Sequence, residues 1–306
     1  MHLSGFADEA GPEPETQVRA CRALGWRHLE ARRLGSANLH DIDDAEFDRA
    51  SGVLRDAGIQ VDCLGTAIAN WATPIDQPGD ATDAQVGRAI ARARRLGTVQ
   101  VRIMSFALRR DGAGRLLAEQ MEAERFARLR AIVRRLRDAG LQPLHENCMN
   151  WGGLGASYTL RLLAEVPGMD LVFDTGNPTQ SEDHDVPADA AGRRPRQSAW
   201  DFYRRVRERI ARVHIKDGVF DPVTGTHRHT MPGDGQGDVR AIVRDLVGGG
   251  YAGAFSIEPH LAAIHHEPGR EAGPEARFAA YVAYGRAMAR ILDEARAAAA
   301  TAAAGG

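Results

Sequence analysis

Short apolar runs alternate with longer amphipathic runs along most of the chain. The short runs predict eight strands, at His2–Phe6, His28–Ala31, Val61–Gly65, Val99–Met104, Gln142–Glu146, Leu171–Asp174, Val213–Lys216 and Ala254–Glu258. The longer runs predict eight helices, at Glu15–Leu24, Ala45–Ala57, Ala81–Leu96, Ala118–Ala139, Ser157–Glu165, Ala199–Arg209, Val239–Gly248 and Pro274–Ala297. Glycine directly follows several of them, as at Gly25 and Gly97, where a left-handed residue ends a helix.

Strict alternation of strand and helix predicts a parallel sheet, because each helix carries the chain back to the same end. A closed (β/α)8 barrel typically takes about 250 residues, and the chain has 306. The alternative, an open doubly wound sheet, usually carries a glycine-rich phosphate turn after its first strand. The first strand here is followed by Ala7-Asp8-Glu9-Ala10-Gly11-Pro12. We therefore predict a single (β/α)8 TIM barrel over residues 1–297, followed by a flexible Ala/Gly tail at 298–306.

The segment Pro178–Ser198 is long for a barrel loop and rich in Asp, Arg, Pro and Ala. Loops of this length are often lids over an active site or insertions without a role. The sequence leaves both open.

Charge and composition exclude several classes of protein. The chain has 39 Lys and Arg against 41 Asp and Glu and no long basic block, so nucleic acid is not an expected partner. It has no apolar window of about 18 residues and no signal-peptide pattern in its first residues. The widely separated Cys21, Cys63 and Cys148 suit reduced thiols. We expect a cytoplasmic protein without a membrane partner, and the sequence leaves a homo-oligomer open.

Potential metal ligands stand at the C-terminal ends of four successive predicted strands: Glu146, Asp174, His214 and Glu258. In a barrel these ends point into the active site. Each residue alone is more typical of a buried ion pair or hydrogen bond, but three carboxylates meeting there would repel each other without a cation. Carboxylate oxygens with one histidine suit a hard divalent ion. We expect Mn²⁺, with Mg²⁺, Co²⁺ and Zn²⁺ as alternatives.

Segments around these positions carry a recognisable pattern: Gly5-Phe6-Ala7-Asp8-Glu9, Leu29-Glu30-Ala31-Arg32, His145-Glu146-Asn147, Phe173-Asp174-Thr175-Gly176-Asn177, His214-Ile215-Lys216-Asp217, Pro232-Gly233-Asp234-Gly235 and Ile257-Glu258-Pro259. In them the chain resembles the xylose-isomerase-like superfamily of sugar isomerases and epimerases, which also holds ketose 3-epimerases, inosose dehydratases and endonuclease IV. The resemblance implies that Glu146, Asp174, His214 and Glu258 are the metal ligands. It also implies that Glu146 and Glu258 are the catalytic acid/base pair.

The chain departs from the ketose 3-epimerases at two places. Asn177 stands where they carry a histidine, and Lys216-Asp217 with a longer segment through His229 replaces an arginine-containing loop. These departures leave the identity of the substrate open. Endonuclease IV has further histidine ligands and basic DNA-binding loops, which this near-neutral chain lacks.

Seven side chains are candidates for substrate binding: His145, Lys216, Asn177, Trp71, Glu30, Arg32 and His229. Lys216 could stabilise an enolate oxygen or pair with a site carboxylate. Trp71 could stack on a sugar or cap the barrel, and Glu30 and Arg32 could pair or touch substrate. His145 could orient a hydroxyl or pack beneath Glu146, because strand alternation turns it away from the barrel interior.

Proton abstraction beside a carbonyl is the chemistry that such a site suits. We expect a metal-dependent isomerase or epimerase that acts on a ketose or keto-sugar through an enediolate. A lyase of the inosose dehydratase or 3-keto-glycoside eliminase type would use the same site. A metal-dependent phosphodiesterase and a sugar-binding barrel without catalysis are the alternatives from other classes.

Overall fold

A ring of eight parallel strands forms the centre of the computed structural model, which describes residues 1–262 and 272–304. The barrel strands are β1 (His2–Gly5), β2 (His28–Ala31), β3 (Gln60–Gly65), β4 (Gln100–Ile103), β5 (Gln142–Glu146), β6 (Asp170–Asp174), β7 (Ile210–Ile215) and β10 (Ala254–Ile257). Between β7 and β10, strands β8 (Gly218–Asp221) and β9 (Thr226–His229) pair as an antiparallel hairpin. The eight predicted barrel strands are therefore all present, with ends that shift by a few residues.

The strand order in the sheet is β1-β10-β7-β6-β5-β4-β3-β2, and every pairing in it is parallel. A parallel bridge between Phe6 and Glu30 joins the two end strands and nearly closes the ring. This topology confirms the predicted (β/α)8 TIM barrel. Because all eight strands run the same way, their C-terminal ends meet on one face of the barrel.

Helices surround the strands: α1 (Pro14–Leu24), α2 (Asp44–Asp56), α3 (Asp80–Leu96), α4 (Glu122–Asp138), α5 (Ala156–Glu165), α6 (Asn177–Gln180), α7 (Ala199–Val206), α8 (Val239–Gly248) and α9 (Pro274–Ala304). Their apolar residues pack against the barrel, as Phe126, Leu129 and Leu136 of α4 do. Among the helices that the structure describes, none is both long enough and apolar enough to span a membrane.

Two helix ends differ from the sequence-based expectation by four residues or more. Helix α4 begins at Glu122 rather than at Ala118, because Met121 has a left-handed backbone with a φ of 51°. Helix α9 continues past Ala297 to Ala304, so the predicted tail is helical over most of its length. Alanine has the highest helix propensity, which accounts for the extension. Residues 305 and 306 of the predicted tail lie outside the described residues.

A layer of paired charges lies inside the barrel. Arg212 of β7 is 1% exposed and donates to Glu30 at 2.7 Å and to Asp62 at 2.7 Å. Ion pairs of this kind are stable in a buried setting only when each charge keeps its partner. Glu30 also faces His214, so this layer supports the residues at the C-terminal ends of the strands.

Candidate metal centre

The structure brings the four predicted metal ligands to one point. Glu146 and Asp174 end β5 and β6, His214 lies near the end of β7, and Glu258 directly follows β10. One candidate ligand atom from each residue lies within 4.8 Å of those of the other three. All four side chains are buried. Since β10, β7, β6 and β5 are neighbours in the ring, the cluster spans half of the barrel mouth.

His214 is oriented by a carboxylate beneath it. Its Nε2 lies 3.1 Å from Oε2 of Glu30, which Arg212 holds in place. Its Nδ1 has no hydrogen-bond partner among the described residues and lies 3.4 Å from Oε1 of Glu146. A ring that binds a carboxylate through one nitrogen and offers the other is typical of a metal-ligating histidine. Nδ1 is therefore the candidate ligand atom.

Only one of the two carboxylate oxygens of Asp174 is held by hydrogen bonds. Its Oδ1 accepts hydrogen bonds from the backbone N–H groups of Gly176 at 2.8 Å and Asn177 at 2.7 Å, where the chain turns into α6. Its Oδ2 accepts no hydrogen bond from a described residue, although the ammonium of Lys216 lies 3.0 Å away as an ion-pair partner. The amide of Asn147 exchanges two hydrogen bonds with the Asp174 backbone and ties the ends of β5 and β6 together. An unsatisfied, fully buried carboxylate oxygen fits a cation ligand.

Three buried cations contact the site carboxylates. Arg102 donates to Glu146 at 2.6 Å. Arg32 donates to Glu258 at 2.7 Å, and Lys216 donates to the other oxygen of Glu258 at 2.8 Å. Each glutamate therefore keeps a fixed orientation, because a buried carboxylate with a charge-assisted hydrogen bond has few alternatives.

The pKa values of these groups report the crowding of charge. Burial raises the pKa of Asp174 to about 6, and the charges of Glu258 and Glu146 add to the effect against that of Lys216. Burial alone would also raise the pKa of Glu146, but Arg102 brings it down to about 2. The pKa of His214 rises to about 9 despite burial, because Glu30 and Glu146 flank the ring. The three carboxylates thus compete for cationic neighbours, and a divalent ion would relieve that competition.

A cavity of about 290 Å³, which we call the inner cavity, opens onto Glu146 and Glu258. Its lining consists of Arg32, Asn38, Gly65, Ala67, Asn70, Trp71, Arg102, Met104, Glu146, Cys148, Met149, Asn177, Lys216, Glu258 and His260. Four of the predicted substrate contacts, Arg32, Trp71, Asn177 and Lys216, are among them. Lys216 also forms the carboxylate pair that was its structural alternative.

The other predicted contacts, Glu30, His145 and His229, do not line the inner cavity. Glu30 lies beneath it against Arg212 and His214. His145 points to the outer side of β5, as strand alternation requires, where its Nε2 lies 3.1 Å from the hydroxyl of Ser105. His229 packs at the rim, with its ring centroid 5.1 Å from that of His260. For these three the structure shows positioning or packing contacts.

Arg102 and His260 are site residues that the sequence reasoning missed. A charged residue inside the apolar run Val101-Arg102-Ile103 was a usable signal, because only a paired charge is tolerated there. His260 lies 2.9 Å from Glu9, and its backbone N–H donates to the same carboxylate. Its distance along the chain from Glu9 hides that contact in the sequence.

The glycine-rich segment after the hairpin has a structural role. Backbone N–H groups of Gly233, Gly235 and Gly237 donate to the carboxylate of Asp217 at 2.8 to 3.0 Å. A Cβ at Gly235 would lie 2.2 Å from that carboxylate, so glycine is required for this close approach. The wrapped Asp217 fixes the chain just after Lys216 and thereby the position of the lysine.

The sequence profile of the xylose isomerase-like TIM-barrel family matches residues 18–297. The chain therefore belongs to this family. No curated protein sequence matches the chain.

Solved structures share the fold at low sequence identity. A xylose isomerase-like TIM-barrel protein from Mycobacterium smegmatis in complex with magnesium is 18% identical, with a TM-score of 0.65 over 91% of this chain and 89% of that one. An L-ribulose 3-epimerase is 18% identical, with a TM-score of 0.66 over 99% and 97%. The probable 3-DHS dehydratase involved in petrobactin synthesis from Bacillus anthracis is 15% identical, with a TM-score of 0.64 over 94% and 98%.

Proposed function

We propose that the protein is a divalent-metal-dependent isomerase or epimerase of a ketose or keto-sugar. It would remove a proton beside a carbonyl, pass through an enediolate and return the proton at another face or carbon. One observation carries the proposal: two buried glutamates, Glu146 and Glu258, converge with Asp174 and His214 on one candidate cation position. The shared fold of an L-ribulose 3-epimerase and of a 3-keto-D-glucoside 4-epimerase from E. coli supports it.

The proposed metal is Mn²⁺, held by Glu146, Asp174, His214 and Glu258. When bound, such an ion draws electron density from a substrate carbonyl and so acidifies the neighbouring C–H bond. The donor set fits, because Nδ1 of His214 and Oδ2 of Asp174 are buried without hydrogen-bond partners among the described residues. Three carboxylates and one imidazole are also ordinary ligands for hard divalent ions.

The two glutamates would exchange the proton with the substrate from different sides. Strands β6 and β7 lie between β5, which carries Glu146, and β10, which precedes Glu258. Arg102 keeps Glu146 ionised and thus able to act as a base. Lys216 lines the inner cavity and carries a proton that can stabilise the developing negative oxygen. Trp71 would cover one face of the sugar.

A lyase is the second candidate, and the setting of Glu258 favours it. Burial would raise its pKa, but Lys216, His260 and Arg32 hold that pKa well below the usual range. Three cationic or proton-carrying groups around one glutamate could assist a departing hydroxide or alkoxide. The fold of the probable 3-DHS dehydratase agrees with this alternative. A non-catalytic barrel is less favoured, because both glutamates are present and buried at the site. A nucleic-acid phosphodiesterase is less favoured, because the chain is near neutral.

Proton exchange in D2O tests the proposal. Metal-loaded protein is incubated with ketoses, inososes and 3-keto-glucosides, and the products are followed by NMR and mass spectrometry. We expect deuterium at the carbon beside the carbonyl and no other change in mass. Loss of water or an aglycone would assign the lyase reaction instead. Absence of exchange and of elimination across the panel would refute enolate chemistry at this site.

A further inference from the structure

A second cavity, which we call the outer cavity, lies beside the inner one at the C-terminal face of the barrel. It has a volume of about 550 Å³ and is lined by the loops that follow β4, β5 and β6. Met149 lines both cavities. The short helix α6 contributes Asn177 to the inner cavity and Gln180 to the outer one. The two cavities are therefore neighbours that share a wall.

Arginine dominates the charged lining of the outer cavity. Its charged residues are Arg110, Arg115, Arg194, Arg196 and Glu182. Arg115 forms an ion pair with Asp111 at 2.8 Å. The other three arginines form no ion pair with any residue of 1–262 or 272–304. The cavity thus holds three arginines without an ion-pair partner among the described residues, against one carboxylate, Glu182, in its lining.

Backbone carbonyls hold these three guanidinium groups in place. Nη1 of Arg110 donates to the carbonyl oxygen of Gly114. In the same way, Nη1 of Arg194 donates to Val186 and Nη1 of Arg196 donates to Gln180. Arg196 also lies over the ring of Phe220, at 4.1 Å from the centroid. A guanidinium group has five N–H donors and one carbonyl accepts from only part of them, so further N–H groups can donate to an oxyanion.

The two loops that carry the arginines are closed by their own backbone. A bridge joins Arg110 to Leu116 in the first loop, and another joins Glu182 to Arg196 in the second. Gln197 ties the second loop to the carbonyl of Gly153 at 2.8 Å. The loops therefore present their arginines in a preorganised form, which favours binding because less freedom is lost.

A histidine in the wall responds to this charge. His184 lines the outer cavity. Burial lowers its pKa, and Arg194 and Arg110 lower it further, against the opposite effect of Glu182 and Asp183. Two of the three arginines are therefore close enough to act on a side chain in the cavity wall.

Every arginine and lysine in the described lining of the inner cavity already has a carboxylate partner. Its cations Arg32, Arg102 and Lys216 are each bound to a site carboxylate. Its volume of about 290 Å³ is also at the lower limit of small-molecule pockets, roughly 300–1,000 Å³. A larger ligand with its reacting carbons at the metal centre would extend past Met149 into the outer cavity.

We propose that the outer cavity is a subsite for an anionic group, a phosphate or a carboxylate, at the distal end of the sugar substrate. Arg110, Arg194 and Arg196 bind its oxygens, since the planar guanidinium group matches both kinds of oxyanion. This subsite gives a role to the long loop at 178–198. The proposal rests on the proposed function only for the part of the ligand that enters the inner cavity.

Equilibrium binding to the Mg²⁺-loaded protein tests the subsite without requiring turnover. Inorganic phosphate alone is titrated first, with the arginine side-chain NMR signals as readout. D-fructose, D-fructose 6-phosphate and D-fructuronate are then compared by calorimetry. We expect phosphate to shift the Arg194 and Arg196 signals, and an anionic sugar to bind at least about tenfold more tightly than fructose. Preference for only one of the two anionic sugars identifies the group as phosphate or carboxylate.

Matched variants locate the effect. Arg194→Gln and Arg110→Gln should each reduce phosphate binding severalfold. Arg194→Lys should restore only part of the binding, because lysine keeps the charge but lacks the paired N–H groups of the guanidinium. Arg193→Gln is the control, since Arg193 is bound to Asp189 and does not line the cavity. Thermal melting verifies that each variant is folded. Undisturbed arginine signals at saturating phosphate, or equal phosphate binding by wild type and Arg194→Gln, would overturn the proposal. If the wild-type protein binds phosphate at these arginines but turns over no ketose of the D2O panel, the result counts against the proposed function and not against the subsite.

Discussion

The inner and outer cavities lie side by side and use charge in opposite ways. In the inner cavity Arg32, Arg102 and Lys216 are all bound to carboxylates. Beside it, Oδ2 of Asp174 and Nδ1 of His214 are buried without a hydrogen-bond partner among the described residues. In the outer cavity Arg110, Arg194 and Arg196 have no carboxylate partner among the described residues and donate to backbone carbonyls instead. This difference is the basis for proposing a cation at the first site and an anionic group at the second.

The difference follows from which elements build each cavity. Residues at the ends of barrel strands supply the inner cavity, where neighbouring strands fix them through parallel ladders. Loops supply the outer cavity, and loops can change in length and composition without disturbing the barrel. Under the two proposals, the reaction would depend on the strands, and recognition of the rest of the ligand would depend on the loops.

The largest expected effect is on turnover. Glu146→Gln and Glu258→Gln should each reduce kcat by about 10²–10⁴-fold while the protein stays folded, because general acid–base catalysis contributes that much. Steady-state kinetics on the substrate found in the D2O panel measures the loss, and circular dichroism checks the fold. Glu275→Gln is the control, since Glu275 is exposed and pairs only with Arg19 among the residues described. If either site variant kept wild-type kcat, that glutamate would have no part in proton transfer.

An intermediate effect is expected at Glu30, which orients His214 without lining the inner cavity. Glu30→Gln should weaken metal affinity by about 10–100-fold, the usual cost of losing the carboxylate behind a ligating histidine. Competition with a chelator of known affinity measures it. Asp62→Asn is the matched control, because Asp62 binds the same Arg212 but does not contact His214. Equal loss of affinity in both variants would show that the charge of the layer matters and not the contact with the ring.

The smallest effect is expected at Trp71, which is 38% exposed at the edge of the inner cavity. Trp71→Ala should raise KM several-fold and leave kcat nearly unchanged, since an aromatic contact of about 1 kcal/mol acts on substrate and transition state alike. A fall in kcat as large as that of the glutamate variants would place Trp71 in the chemical step. It would also contradict the assignment of catalysis to strand-end residues and of ligand recognition to loop residues.

The convergence of the four candidate ligands could be predicted from sequence because a barrel places all strand ends on one face. Glu146, Asp174 and Glu258 stand where apolar runs stop, so the alternation of strands and helices was enough to bring them together. His145 could likewise be assigned to the outer side of β5 from the period of two. These inferences need only local periodicity and the topology.

The remaining features depend on contacts between distant positions. The pairing of Glu30 with His214 and of Arg102 with Glu146 depends on the stagger of the strands around the ring, which no local pattern reveals. Predicting the outer cavity would require knowing how two loops run. Each loop is closed by a β-bridge between residues whose sequence does not predict a strand. The sequence indicated a long loop at 178–198 but not that its arginines face a second loop.

Metal content tests the central claim most directly. Protein purified without chelator should contain about one divalent ion per chain by elemental analysis, as a single four-ligand site implies. The double variant Asp174→Ala/His214→Ala should contain none, while Arg193→Gln keeps the wild-type amount. Stoichiometric metal with unchanged affinity in the double variant would contradict the assignment of these residues as ligands and, with it, the proposed mechanism.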